Sequence, residues 1–140
     1  MTEGKQKIVK ESGKSKIIIV DTSSDVNEGN DNDIIVTGSH SGRNGGEHLS
    51  SLHIKGVIGN DAGMGKENAG IAGMKILEEH GIPAAAVSCL SARIGNGIST
   101  YEQGKISAAN EVAKKLGITV GMTAKEAADR MFEALTQKAE

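Results

Sequence analysis

Aromatic side chains are nearly missing from this chain: its 140 residues include one tyrosine, one phenylalanine and no tryptophan. Large rings supply much of the buried apolar area in a small protein. A core built from aliphatic side chains alone is thin for this length, and burial between subunits is one way to supplement it. We therefore expect a homo-oligomer.

Other absences exclude whole classes of protein. The one cysteine, Cys89, cannot form an internal disulfide, which fits a reducing cytosol, and we expect a cytoplasmic protein. No apolar run approaches the roughly 20 residues of a membrane-spanning helix, and the lysine-rich N-terminus does not resemble a signal peptide. A net charge of -2 indicates neither a nucleic-acid partner nor an anionic membrane surface.

Short apolar runs alternate with amphipathic patterns along the chain. We expect residues 1–15 to form a flexible basic tail, with at most a short strand at 7–10, and residues 16–140 to form a single α/β domain. The alternation predicts a mostly parallel sheet of about four or five strands with flanking helices. The predicted strands are residues 17–20, 34–36, 57–58 and 84–90, and the predicted helices are residues 68–80, 99–117 and one that begins at 123.

Two segments between these elements leave alternatives open. Residues 45–54 are predicted to be either a short helix or an irregular crossover. Residues 21–33 hold five acids and no base, which is typical of a solvated loop. A calcium loop is the alternative, but the segment lacks the spaced ligands and the late glutamate of an EF-hand, and no metal is expected.

The glycine-rich stretch 59–70 lies between a predicted strand and a predicted helix, a layout that aims backbone N–H groups at an anion. It does not match the P-loop, because Met64 stands where glycine is required. It does not match the dinucleotide fingerprint either, because Asn68 stands where glycine is due, and no cofactor is expected. The candidate substrate-binding groups here are the side chains of Asn60, Lys66 and Asn68 and the backbone of Gly63 and Gly65.

Polar residues follow each predicted strand, and in open α/β sheets ligands bind outside the carboxyl ends of the strands. His40 lies in a glycine-bounded loop, and a pKa near 6.5 suits histidine to acid–base catalysis. Asp61 is its expected partner or a second acid–base group. Arg93 and Ser39 are expected to bind substrate, Arg93 by clamping a carboxylate. Cys89 is predicted to lie inside the fourth strand, where a cysteine is usually inert.

Three motifs together resemble a family of small uncharacterised bacterial α/β proteins. The resemblance spans residues 34–122 and implies that this region is one unit, but it implies no activity. The motifs are Thr-Gly-Ser-His-x-Gly at 37–42, Gly-Asn-Asp-Ala-Gly-x-Gly-Lys-x-Asn-Ala-Gly-Ile at 59–71 and Ser-Ala-Arg-Ile-Gly-x-Gly at 91–97.

These residues support three functional hypotheses. The first is a small enzyme, an isomerase, lyase or hydrolase, that uses acid–base chemistry on a metabolite carrying a carboxylate or phosphate. The second is a non-catalytic module that binds or senses such an anion. The third is a structural, self-assembling protein whose glycine-rich loops serve subunit packing.

Overall fold

A computed structural model describes residues 6–13, 15–63 and 70–138. Within these residues six strands form one mixed sheet, flanked by five α-helices. The strands are β1 (Lys7–Ser12), β2 (Ser15–Val20), β3 (Ile34–His40), β4 (Gly56–Asn60), β5 (Ala84–Val87) and β6 (Ile106–Ala109). The helices are α1 (Arg43–Ser50), α2 (Ala72–Glu79), α3 (Gly97–Gln103), α4 (Glu111–Lys115) and α5 (Ala124–Lys138).

The strands lie in chain order across the sheet. The central four, β2 to β5, are parallel, and β1 and β6 pair antiparallel at the two sides. The predicted α/β class and mostly parallel sheet are confirmed. The predicted number of four or five strands was wrong, because β1 and β6 add an antiparallel strand to each side of the parallel centre.

The run Ile17–Val20 shows why the parallel strands are continuously apolar. Ile17 and Ile19 pack in a cluster with α5, whereas Ile18 and Val20 pack in a second cluster with α1 and α2. Both faces of the sheet are therefore covered, and a strand buried on both faces needs apolar side chains at every position. We call the two sides the α5 face and the α1/α2 face.

β1 lies within the segment that we expected to be a tail. It pairs with β2, and most of its residues are exposed. Residues 1–5 lie outside the described part of the chain, so the boundary of the predicted tail stays a prediction.

The predicted helix 99–117 was wrong. The chain instead forms α3, then β6, then α4. Ile106 and Ala113 are buried in one cluster, as expected, so the helical spacing identified core residues but the wrong element. Pairing of β6 with β5 satisfies the backbone groups of residues 106–109, and this tertiary pairing overrides the local pattern.

The acidic segment 21–33 is more ordered than a solvated loop. It contains two 3-10 turns, Ser23–Asp25 and Glu28–Asn30. Asp33 is 1% exposed and accepts a 2.9 Å hydrogen bond from Asn30 Nδ2, with Lys16 Nζ 3.6 Å away. The segment is therefore anchored to β2 through Asp33, although about half of its residues are exposed.

Residues 43–50 form the helix α1, which settles the alternative left open for residues 45–54. The buried residues of α2 are Gly73, Met74 and Leu77, whereas Ala72 is exposed. A Cβ atom added to Gly73 would overlap the Gly42 carbonyl oxygen and lie 3.0 Å from Gly46 Cα. Glycine at this position allows α2 to pack closely against α1.

Candidate functional site

The segments that follow β3, β4 and β5 meet at one side of the molecule, which we call the carboxyl edge. His40 and Asn60 are direct neighbours in the β3–β4 register. The N–H of Ser41 donates to the Asn60 carbonyl at 2.9 Å, and Asn60 Nδ2 donates to the Ala92 carbonyl at 3.3 Å. Three segments far apart in sequence are thus connected by hydrogen bonds through one residue, Asn60.

Asn60 is fully buried, and both ends of its amide are engaged. Its Oδ1 accepts a 2.8 Å hydrogen bond from the N–H of Ala62. Ser39 is engaged as well, because its Oγ accepts a 2.7 Å hydrogen bond from the N–H of Ser23. These two predicted binding side chains hold neighbouring segments in place in this structure.

Asp61 is 5% exposed, and its carboxylate accepts three hydrogen bonds. Oδ1 accepts from the N–H groups of Gly63 at 2.8 Å and Cys89 at 3.0 Å, and Oδ2 accepts from Ser107 Oγ at 2.7 Å. Burial acts to raise the pKa of Asp61, but hydrogen bonds from Ser107, Gly63 and Cys89 outweigh it, and the pKa lies below its ordinary value. The side chain is therefore ionised at neutral pH.

Two consecutive residues after Asp61 adopt left-handed backbone conformations. Ala62 has a φ of 51° and Gly63 a φ of 74°. Glycine adopts this region freely, but a residue with a Cβ rarely does, and such strain is concentrated at functional sites. The side chains of Asn60 and Asp61 hold this turn in place by accepting hydrogen bonds from the backbone N–H groups of its two residues. Three predicted binding residues follow it and lie outside the described part of the chain: Gly65, Lys66 and Asn68.

His40 is the last residue of β3, not part of a loop as predicted, because β3 extends four residues beyond Val36. Its side chain is exposed, and among the described residues it makes no hydrogen bond or ion pair. It lines a cavity of about 10 Å³ on the α1/α2 face, near the lower limit for one water molecule. The cavity is also lined by Ser41, Gly46 and Met74.

Arg93 borders a different and more open cavity of about 430 Å³, which we call the Arg93 cavity. Its guanidinium is exposed and makes no hydrogen bond or ion pair with described residues. The cavity is lined by Cys89, Leu90, Ser91, Ala92, Arg93, Asn96, Ser99 and Gln103. The structure thus brings the segments of His40, Asp61 and Arg93 to one edge, while His40 and Arg93 line separate cavities.

Sequence reasoning missed several residues of this edge. Ser107 was assigned to a helix, so its approach to Asp61 could not be foreseen. Cys89 was placed inside the fourth strand, but β5 ends at Val87 and Cys89 is half-buried in the following turn. Asn96 caps α3 by accepting from the N–H of Ser99 at 2.9 Å, and this Asn-x-x-Ser spacing was a readable signal.

The described residues 6–13, 15–63 and 70–138 contain no group of three or more histidine, cysteine, aspartate or glutamate side chains arranged to hold a metal ion. His48 and His80 are each bound to a backbone carbonyl, that of Val26 and that of Ile76. In the same residues, every helix is too short or too polar to cross a membrane.

Residues 70–131 match a family profile described as a domain of unknown function (DUF1805). The match covers α2, β5, α3, β6, α4 and the first half of α5, and so includes Arg93 but not His40 or Asp61. Neither the curated proteins nor the solved structures contain a significant match to the chain.

Proposed function

We propose that this protein is a small enzyme that performs acid–base chemistry on a metabolite carrying a carboxylate or a phosphate. The observation that carries the proposal is the position of His40: exposed, without a partner among the described residues, and next to Asn60 where parallel strands end. Ligands of open α/β sheets bind outside such strand ends. Isomerase, lyase and hydrolase chemistry are all compatible with one imidazole that can accept and release a proton.

In this proposal His40 transfers the proton, because histidine changes charge close to neutral pH. Arg93 binds the anionic group of the metabolite. Asp61 holds the strained turn at Ala62–Gly63, since its three hydrogen bonds favour a positioning role over the proton transfer that the sequence suggested. Lys66 is retained as a second anion-binding residue on sequence grounds alone.

A non-catalytic binding module is the second candidate. It is favoured by the separation of His40 and Arg93 into two cavities, because binding an anion in the Arg93 cavity requires no proton transfer. A homo-oligomer and a cytoplasmic location also stay predictions.

The enzyme proposal can be tested with a panel of short carboxylates and phosphate monoesters, with products detected by mass spectrometry. We expect at least one compound to be turned over, and His40→Ala to abolish the turnover. His80→Ala is the matched control, because His80 is an exposed histidine that lies just after α2, away from the carboxyl edge. Saturable binding without turnover would favour the binding module, and turnover that survives His40→Ala would contradict the role of His40.

A further inference from the structure

Three side chains that line the Arg93 cavity carry hydrogen-bond donors without partners among the described residues. Among its lining residues there is no aspartate or glutamate. The kind of ligand that fits the cavity depends on the side chains of Arg93, Asn96 and Gln103. The orientation of the Asn96 amide is fixed by its backbone neighbour.

Asn96 presents its amino group. Its Oδ1 accepts the N–H of Ser99 at 2.9 Å, and because a backbone N–H can only donate, the atom facing it must be the oxygen. The Nδ2 amino group makes no hydrogen bond with the described part of the chain.

Gln103 also presents its amino group. Ser99 Oγ accepts the N–H of Arg93 at 2.9 Å and donates its own hydrogen to Gln103 Oε1 at 2.8 Å. Ser99 is 8% exposed, whereas Gln103 is exposed, so this chain of hydrogen bonds is partly buried. The Nε2 of Gln103 is left as a donor without a partner among the described residues.

Arg93 adds the only formal charge among the residues that line the cavity. A guanidinium presents its donors as a planar fork that matches the two oxygens of a carboxylate. The single positive charge of Arg93 neutralises a carboxylate, whereas it would leave most of the second charge of a phosphate monoester without a partner.

Leu90 supplies an apolar wall to the same cavity and is 95% exposed. Its backbone is held in place, since its N–H donates to Ser88 Oγ at 3.1 Å and the Oγ of the next residue, Ser91, donates to the Ser88 carbonyl at 2.7 Å. A fixed loop that displays a leucine beside an arginine offers both an apolar and an ionic contact. The cavity has a volume of about 430 Å³ and is open to solvent.

We propose that the Arg93 cavity binds a small monocarboxylate with an apolar chain. Arg93, Asn96 and Gln103 donate hydrogen bonds to the carboxylate, and Leu90 contacts the apolar chain. The inference names a substrate class and rests on the proposed function only in treating this cavity as part of the enzyme's site. Binding itself does not depend on His40.

The test is a titration of the isotope-labelled protein with butyrate, acetate and inorganic phosphate, followed by NMR. Butyrate is expected to shift the Arg93 Nε–Hε signal and the side-chain NH₂ signals of Asn96 and Gln103 with one dissociation constant. It should bind severalfold more tightly than acetate, because each further buried methylene adds favourable transfer free energy. Phosphate should bind more weakly than butyrate.

Two variants sharpen the test. Arg93→Lys keeps the charge but removes the fork, and is expected to weaken butyrate binding by about tenfold. Gln103→Glu replaces a donor by an anion and should weaken it at least as much. Arg43→Lys is the control, because Arg43 is an exposed arginine on α1 that pairs with Glu47. This variant should bind butyrate as tightly as the wild type.

The outcomes separate this inference from the proposed enzyme function. Shifts at the Arg93 cavity without any at His40 would support the inference and count against a site shared with His40. The inference is overturned if butyrate shifts none of the three donor signals, if it shifts His40 alone, or if phosphate binds more tightly than butyrate. Equal affinity of wild type and Arg93→Lys would also overturn it.

Discussion

Ser107 Oγ donates a 2.7 Å hydrogen bond to Asp61 Oδ2, and this bond joins β6 to the residue that follows β4. The same hydroxyl also contacts the strand between them, β5, because Ser107 Oγ lies 3.3 Å from the Ala86 carbonyl oxygen. Asp61 thus connects three neighbouring strands at the carboxyl edge. A buried carboxylate with this many donors stabilises the edge on which the proposed site lies.

Asp61→Asn is expected to lower the free energy of unfolding by about 2–3 kcal/mol, because its three hydrogen bonds would lose their charged acceptor and Ser107 Oγ would have to accept from the new NH₂ group instead of donating. Urea unfolding followed by circular dichroism measures the loss. Asp31→Asn is the matched control, since Asp31 is exposed, and it should change the stability by less than about 0.5 kcal/mol. Equal stabilities of the two variants would show that Asp61 does not hold the edge.

The lowered pKa of Asp61 predicts a dependence of stability on pH. Stabilisation by this carboxylate is present above its unfolded-state pKa of about 3.9 and is lost as the pH falls through the lower folded-state value. Ser107→Ala removes a hydrogen bond to the charged form and should raise the pKa of Asp61. A carboxyl-carbon NMR titration measures this shift. An unchanged or lower pKa in the variant would contradict the geometry.

Gly73→Ala is expected to destabilise the protein by about 1–3 kcal/mol, although alanine favours helices, because its Cβ would overlap the Gly42 carbonyl. Gly45→Ala on α1 is the opposite case. Its Cβ would find its nearest neighbour at 3.7 Å, and the variant should gain about 0.5–1 kcal/mol. Thermal unfolding of both variants tests the packing of α1 on α2. A stable Gly73→Ala would mean that the two helices are further apart.

The side chain of Asn110 makes four hydrogen bonds, and the residue is 6% exposed. Its Nδ2 donates to the carbonyls of Met74 and Ile82, and its Oδ1 accepts from the N–H groups of Ala84 and Ala113. Asn110→Ala should therefore cost about 3 kcal/mol or more, measured by urea unfolding. Asn44→Ala, at an exposed position on α1, is the control and should change little. A loss below about 1 kcal/mol would be inconsistent with these bonds.

The sequence predicts the parallel centre of this fold because runs such as Ile17–Val20 are buried on both faces, which leaves an unbroken apolar signal. β6 has no such signal. Its residues Ile106–Ala109 are small or polar apart from Ile106, and only the partner strand β5 makes them a strand. A helix pattern fitted the same core residues, so local reasoning could not choose between the two elements.

The candidate site was predictable in part for a similar reason. Parallel strands bring their carboxyl ends together, so the meeting of the segments around His40, Asp61 and Arg93 follows from strand order alone. Strand order does not determine which cavity each side chain lines. That depends on the irregular register between Val36 and His40 and on the path of the segment that leads to α3. Those features are set by hydrogen bonds such as Gly95 N–H to the Gly38 carbonyl, at 2.7 Å.

The central claim is that His40 transfers a proton to or from a metabolite whose anionic group binds at the carboxyl edge, and an NMR titration of the His40 imidazole tests most directly whether such an anion lies close to it. The titration is run without ligand, with saturating butyrate and with saturating inorganic phosphate. A nearby negative charge favours the protonated ring, so the account predicts that at least one anion raises the pKa of His40 while that of His80 is unchanged. An identical pKa of His40 under all three conditions would contradict the account.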